Sequence, residues 1–385
     1  MKFSLVFSGL VLACVPVVRR EIRELSPQEL RKLTNAINQL HKQGKYEEFT
    51  KTHLDNKDFA HEMPEFLPWH RYFIRKFEMA LQEIDPSVSL PYWDWSLDSQ
   101  APHLSKVLTP SLYGSNGKKD KCVKDGPFAN WQMTIPNKHC LRRDFDRGAN
   151  IQPFGYPEEI NLFLNEPRFS DFSRLLEDKH AYPHLFIGGD RGDLNPMWSP
   201  NDPIFYLHHT FMDLLWSKWQ ERHPNSDPYE GKRYNLKRTP KDKFTPWKNI
   251  TVQSTFDTKN SFYCYTYPEY PRAIFAASAT EEHKIKVKKS INTNPFLNGF
   301  LKNTTIIPAL DLLREKVAAS LKTKAIVKSN HELRVAGPFT DKWIKSFEFN
   351  LKEFRKNSDN SILLAQLLNQ LEGFESLASF RKYFN

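Results

Sequence analysis

Glycine is scarce in this 385-residue chain, at 14 residues, too few for a collagen-like repeat or for Gly-rich linkers. Beyond the N-terminus no stretch is apolar for long enough to span a bilayer, so no stable membrane anchor is expected. No internal repeat of fixed period is visible. No nucleic-acid-binding module is recognisable either, although the net charge is +10. That charge is uneven: from Pro271 to Asn385 there are 19 basic and 11 acidic residues. The segment reads as a solvated basic surface, with a face toward an acidic polymer as the alternative. Nothing in the sequence fixes an oligomeric state.

What is present fits a globular chain, with 39% hydrophobic and 26% charged residues. The length allows two to three domains at roughly 150 residues each. Phe (29) and Trp (9) suggest aromatic-rich packing and a deep pocket, and 26 prolines suggest many stiff loops. Met1-Lys2, an apolar run from Phe3 to Val18 and then Arg19-Arg20 read as a secretory signal over residues 1–18. Ala13 is a candidate last residue before cleavage, and an extracellular location follows.

Cysteine numbers only four. Cys14 lies in or next to the leader. Cys122 and Cys140 flank a loop-like segment; they either form a disulfide, worth about 3 kcal/mol on loop-entropy grounds, or remain buried thiols. Cys264 is then left as a lone buried thiol. Asn249-Ile-Thr251 and Asn303-Thr-Thr305 are glycosylation sequons if the chain is exported.

Residues 20–100 read mainly as helix. Ser26-Pro27-Gln28-Glu29 is a capping box, and Leu30, Leu33, Ile37 and Leu40 recur at helical spacing until Gly44. A further helix is predicted from near Trp69, with Phe73, Ile74, Phe77 and Leu81 as its stripe. Residues 97–158 form a long irregular excursion. Helical pattern returns over 159–223, interrupted by a loop from Gly188 to Pro203. Phe262–Tyr267 is strand-like, and Ala309–Leu321 and Ile362–Leu371 are helical in pattern. A domain boundary is expected near 268–290.

Six of the 13 histidines form two groups of three: His53, His61 and His70, then His180, His184 and His209. His180 and His184, four apart, share one face of a helix. His209 on a following helix could complete a three-imidazole site. Neutral imidazole ligates Zn, Cu, Fe and Ni. Three His without carboxylate or thiolate leave an open position, which suits small-molecule chemistry better than a closed structural site.

The local strings are more specific than the spacing. His61-Glu-Met-Pro-Glu-Phe-Leu-Pro-Trp-His70-Arg71, followed by Leu90-Pro91-Tyr92-Trp93-Asp94-Trp95, resembles the first copper motif of the tyrosinase and catechol oxidase family. His180-Ala-Tyr-Pro-His184-Leu-Phe-Ile-Gly188-Gly189 and Ser199-Pro-Asn-Asp202-Pro-Ile-Phe205-Tyr-Leu-His208-His209-Thr-Phe-Met-Asp213 resemble the second. The resemblance spans about Arg19 to Tyr267, and the loop around Cys122–Cys140 looks most like fungal members.

The resemblance implies a mainly α fold: a four-helix bundle holding two copper ions (a type 3 centre), with long irregular loops. It implies a copper-binding domain over 19–270. A basic, helical C-terminal extension over 271–385 would correspond to a segment that covers the active site until cleaved. Copper A would take His53, His61 and His70, with His41 as competitor for the first position. Copper B would take His180, His184 and His209. His208 matches a supporting histidine, and Asp213 could hold an imidazole tautomer or be a helix-surface carboxylate. His103, His139, His223, His283 and His331 read as non-ligands.

The activity implied is oxidation of small o-diphenols to o-quinones by O2, with or without hydroxylation of monophenols, as in melanin formation. Phe66, Met197, Trp198 and Phe205 are candidate pocket walls, Met197 or Trp198 at the gate position, though each also suits plain core. Glu177 matches a carboxylate that, paired with Asn, holds a water to deprotonate monophenols in relatives. Here the Asn position is Ala181, so diphenol oxidation should dominate. Phe59 stands where many fungal relatives carry a Cys cross-linked to the second copper A ligand. Glu62-Met63 replaces small residues after His61. Tyr263-Cys264-Tyr265-Thr266-Tyr267 resembles the motif closing the catalytic domain, on which Arg19 or Arg20 would stack. A reversible O2 carrier resembling the molluscan haemocyanin unit, or a catalytically silent zinc-loaded relative, are the competing readings.

Overall fold

The structure, a computed structural model, describes residues 14–62, 64–233, 235–270, 333–337, 339 and 351–369. It is helix-rich, with only two-residue strands among the described residues. Helix α1 (Pro27–Lys42) starts at the expected capping box: Ser26 Oγ accepts from the Glu29 amide and the Glu29 carboxylate accepts from the Ser26 amide. Leu33, Ile37 and Leu40 face the core. Gly44, at φ +74°, ends the pattern and opens α2 (Lys45–Asp55), which carries His53. A single turn, α3 (Lys57–Ala60), precedes His61.

Helix α4 (Phe66–Gln82) begins three residues before the expected start at Trp69. Pro68 is compatible with this because amides of the first turn have no intrahelical partner to lose. Helices α5 (Pro157–Phe163), α6 (Phe169–Gly188) and α7 (Ile204–Arg222) fill the second helical region, and α4 packs on both α6 and α7. Between α4 and α7 the Phe77 and Tyr206 rings lie parallel, 3.4 Å between centroids. The four helices α2, α4, α6 and α7 bear five of the six predicted ligands, and His61 follows α3 in extended conformation.

The excursion between α4 and α5 contains 3-10 turns and one small hairpin, β2 (Gln132–Met133) with β3 (His139–Cys140). A disulfide joins Cys122 to Cys140. From the same excursion Arg143, fully buried, donates to both carboxylate oxygens of Asp202 (2.7 and 2.9 Å). Asp202 in turn accepts from the Ile204 amide at the start of α7. The irregular segment therefore fixes the helix that carries His208 and His209.

The N-terminal residues are held to the far end of the core. β1 (Val17–Val18) pairs in parallel with β4 (Tyr265–Thr266), and Cys14 is disulfide-bonded to Cys264. Cys264 is thus not the lone thiol expected from sequence. Arg19, not Arg20, lies over the Tyr265 ring at 3.5 Å. The same guanidinium pairs with Glu78 at 2.6 Å and Asp213 at 3.2 Å. Asp213 also receives Arg71 and the hydroxyls of Tyr265 and Tyr267, each at 2.6 Å. The expectation that Asp213 orients an imidazole is corrected here: its oxygens are taken by two arginines and two tyrosines. It is also buried, not a surface carboxylate.

Helix α8 (Leu351–Asn369) packs on α6. Asn357 donates to Asp178, and Ser361 joins Lys179 and Glu159, which are themselves 3.0 Å apart. Phe339 lies 5.0 Å from Tyr182 and 5.6 Å from Phe186. At 100° per residue, Asp178, Tyr182 and Phe186 are on the opposite face of α6 from His180 and His184. This described part of the C-terminal extension therefore backs the histidine helix. The basic stretch over 271–332, with its predicted helix Ala309–Leu321, lies outside the described residues.

Burial alone would raise the Asp213 carboxyl, but Arg71, Arg19 and the hydroxyls of Tyr265 and Tyr267 hold it below the usual carboxylate range. A lowered carboxylate contributes stability that is present above its unfolded value and lost as pH falls through its folded value. Removing one partner from a buried ion network costs about 3–5 kcal/mol. Asp213→Ala should therefore lower stability by about that amount in chemical denaturation, and the difference from wild type should shrink toward acid pH. An unchanged midpoint would show that the network is not needed to hold α4, α7 and the N-terminal strand together.

Candidate dinuclear metal centre

Burial is the first determinant of this site. His53, His61, His70, His180, His184 and His209 are each at most 7% exposed. Burial lowers their pKa values, to about 3 for His53, His61 and His184, with neighbouring imidazoles acting in the same direction. His70, His180 and His209 are pushed well below the ordinary value for the same reasons. All six are consequently neutral near pH 7, the form in which imidazole binds a metal.

Tautomers follow from the backbone. His53 Nδ1 donates to the Met197 carbonyl (2.7 Å), His61 to Lys57 (3.2 Å), His70 to Phe66 (2.9 Å) and His184 to Leu194 (2.6 Å). In each neutral ring the proton on Nδ1 leaves a lone pair on Nε2. The Nε2 atoms of the rings converge. Nε2 of His53 and His70 are 3.4 Å apart, as are Nε2 of His184 and His209; those of His180 and His209 are 3.3 Å apart. One possible donor atom from each of His53, His61 and His70 lies within 4.8 Å of the others, and the same holds for His180, His184, His208 and His209. Convergent lone pairs repel unless a cation stands among them, so the donor set fits a metal ion in each group.

The two groups adjoin. The His70 and His209 rings stack at 4.2 Å, and His61 and His180 are 6.1 Å apart. Phe66 stands edge-on to His70 (5.1 Å) and His180 (4.8 Å). Phe205 contacts His209 (4.0 Å) and His53 (5.2 Å). Both rings are fully buried and keep water from the imidazoles. Met197 and Trp198 are half-buried on the loop before α7. His41, the competitor of His53, lies elsewhere, stacked on Trp131 at 4.0 Å with Nε2 donating to the Gln132 carbonyl.

His208 is distinguished from His209 by its partner. Trp95 Nε1 donates to His208 Nδ1 at 3.0 Å. A neutral ring that accepts at Nδ1 carries its proton on Nε2 and has no lone pair there for a metal. His208 instead stacks on His180 at 4.9 Å and supports it. Trp95 belongs to the Leu90–Trp95 string noted in the sequence, but its role there was not apparent. The carbonyls of Leu194 and Met197 could not have been found from sequence, since every residue has one.

Glu177, one turn before His180, is buried and accepts from the Glu62 amide at 2.7 Å. Glu62 has φ +53°, a conformation favouring glycine, which explains why a small residue suits this position. Ala181 is fully buried. Phe59, in the cross-link position of other family members, lies under the Arg233 guanidinium at 3.5 Å.

Residues 43–222 match the common central domain of tyrosinase. The chain is 34% identical over 273 residues to a tyrosinase of Streptomyces antibioticus, covering 62% of this chain and 96% of that one. The chain belongs to the tyrosinase family. A tyrosinase-like protein of Diaporthe leptostromiformis is 32% identical over 309 residues, covering 66% of this chain and 77% of that protein. Among solved structures, a polyphenol oxidase from Thermothelomyces thermophila superposes with a TM-score of 0.55 at 23% identity, over 66% of this chain and 89% of that one. A functional unit of octopus haemocyanin gives 0.50 at 21% identity, over 66% and 68%. Those two likenesses speak for the fold.

As a tyrosinase-family member the protein is a type 3 copper protein whose cofactor is a pair of copper ions. Loss of a ligand and loss of its neighbour should be distinguishable. His209→Ala should leave about one copper per chain by metal analysis, whereas His208→Ala should retain part of the second. The reverse outcome would exchange the roles of the two histidines.

Proposed function

We propose that this protein oxidises o-diphenols to o-quinones with O2, and that it hydroxylates monophenols poorly. In this reading His53, His61 and His70 hold one copper and His180, His184 and His209 the other. Copper held there would supply the two-electron redox chemistry that links O2 to the diphenol. The overall reaction joins two diphenols and one O2 to two quinones and two waters. The chain's own part is to hold six neutral imidazoles, to exclude water with Phe66 and Phe205, and to present phenol-sized ligands to the metals.

The observation that carries the substrate preference is the pair Glu177 and Ala181. A monophenol must lose a proton of pKa about 10 before it can bind as phenolate, which near pH 7 costs about 4 kcal/mol without help. A water held between a carboxylate and an amide could accept that proton. Ala181 offers only a buried methyl group. Burial also pushes Glu177 well above the ordinary carboxylate range, with the charges of Glu62 and Asp178 adding to the shift. That carboxyl is also already occupied by the Glu62 amide. Both features disfavour deprotonation of an incoming monophenol.

Oxygen uptake by the copper-loaded protein, with a monophenol and a diphenol in parallel, tests this. Diphenol turnover should clearly exceed monophenol turnover, and Ala181→Asn should raise the monophenol-to-diphenol ratio at unchanged copper content. Equal rates in the unmodified protein, or an unaltered ratio in the variant, would refute the account. Reversible O2 binding without turnover would favour the haemocyanin-like reading, and zinc in a copper-replete host the silent one.

Export fits the two disulfides and the absence, among the described residues, of a helix long and apolar enough to cross a membrane. Cleavage after Ala13 would leave Cys14 free to pair with Cys264 and Val17–Val18 to pair with Tyr265–Thr266. The intact mass of secreted protein should correspond to a chain starting at Cys14; a start at Arg19 would remove both anchors and overturn this assignment.

A further inference from the structure

The loop from Gly189 to Pro203 performs a task that no ligand motif expresses. Its Leu194 carbonyl accepts from His184 and its Met197 carbonyl accepts from His53. One imidazole of each histidine group thus takes its tautomer and orientation from the same short loop. The loop has no regular structure except one 3-10 turn, Ser199–Asn201. Its position must be imposed from outside.

The brace is Asp193, which is 2% exposed. Its Oδ2 accepts from the Arg142 amide at 2.8 Å, and its Oδ1 accepts from His139 Nε2 at 2.8 Å and from Asn201 Nδ2 at 3.0 Å. Its own amide donates to the Arg142 carbonyl. The 139–142 segment against which it rests is tied down at Cys140 by the disulfide to Cys122. Two points within the loop, residues 193 and 201, are therefore clamped by one carboxylate, with Leu194 and Met197 between them.

His139 completes the clamp in a specific protonation state. Its Nδ1 lies 2.6 Å from the Asn137 carbonyl and its Nε2 2.8 Å from the Asp193 carboxylate. Both neighbours are acceptors only, so both ring nitrogens must donate, which requires the imidazolium. We propose that Asp193, held by protonated His139, is a positioning residue that sets His53 and His184 together and so couples retention of the two coppers. This rests on the ligand assignment proposed above.

The charged groups facing His139 are Asp193, which favours the imidazolium, and Arg142, which opposes it. The hydrogen bond to Asp193 is the largest influence, and the net effect raises its pKa above the ordinary value. A raised histidine stabilises its surroundings below its unfolded pKa, about 6.5, and that contribution is lost as pH rises through its folded value. On deprotonation one nitrogen turns a lone pair toward an oxygen and a bond of the clamp is lost. The resulting signature is opposite in sign to ordinary ligand protonation, which releases metal on the acid side.

The test is copper transfer from the full-length holoprotein to an excess of a chromophoric chelator, followed from pH 6 to 9, with metal analysis of the protein remaining. In the wild type both ions should leave together, and faster as pH rises. Asp193→Asn should release both roughly 10–100-fold faster, the range for loss of a group that orients metal ligands. His139→Gln should abolish the alkaline acceleration while its thermal melt stays cooperative; it serves as the independent test should Asp193→Asn fail to fold. Wild-type release rates in Asp193→Asn, loss of a single ion, or persistent alkaline acceleration in His139→Gln would each overturn the proposal. A wild type that binds no copper would instead refute the ligand assignment on which it stands.

Discussion

Six uncharged imidazoles in mutual contact, shielded from water, are the constraint that the rest of this molecule serves. Burial keeps them neutral, and neutrality leaves each with one proton and one lone pair. Four of the rings spend the proton on a backbone carbonyl. For His61 and His70 the acceptor is four residues earlier in the chain; for His53 and His184 it comes from the loop before α7. The remaining lone pairs have nowhere to point but at one another. A protein interior tolerates that arrangement when a cation completes it, and two copper ions do so in this family.

Such a centre needs helices that do not drift. Two devices hold them, and neither is built from the histidines themselves. At one end, Asp213 on α7 draws Arg71 of α4, Arg19 of the N-terminal strand and two tyrosine hydroxyls of the closing segment into one buried network. Its members compensate one another, which is the condition for burying charge at all. At the other end, Arg143 from the irregular excursion clasps Asp202 and with it the first turn of α7. Helix α8 supports α6 from behind through Lys179, Glu159 and Ser361, so that α6 is packed on both faces. This explains how α6 continues through Pro183, which lacks the amide for its intrahelical bond.

In the proposed reading, substrate choice turns on small differences: a methyl at Ala181 and a carboxyl occupied by the Glu62 amide, where a proton-accepting water would otherwise be held. The amide that occupies Glu177 belongs to a residue at positive φ, directly after His61.

Much of this was legible in the sequence. The helix over Pro27–Lys42 followed from its capping box and apolar spacing, and the histidine groups from their strings, because ligand identity and helical period are properties of residue types and short intervals. Arg19 on the tyrosine motif was also within reach, leaving only a choice between two neighbours. What the sequence could not express was pairing across distance. His53 and His41 were indistinguishable by spacing, and only tertiary packing puts one beside His70 and the other on Trp131. Cys264 looked solitary because its partner lies 250 residues away in what read as a leader. Asp213 looked like a partner for a histidine one turn away, yet two arginines carry full charges and compete more strongly for a buried carboxylate than a neutral imidazole can. The carbonyls of Leu194 and Met197 have no residue signature at all. Residue type and short intervals narrow the atoms that can bind copper; the fold decides which of them converge and which protons they carry, because a tautomer is set by whatever acceptor folding brings within hydrogen-bond reach.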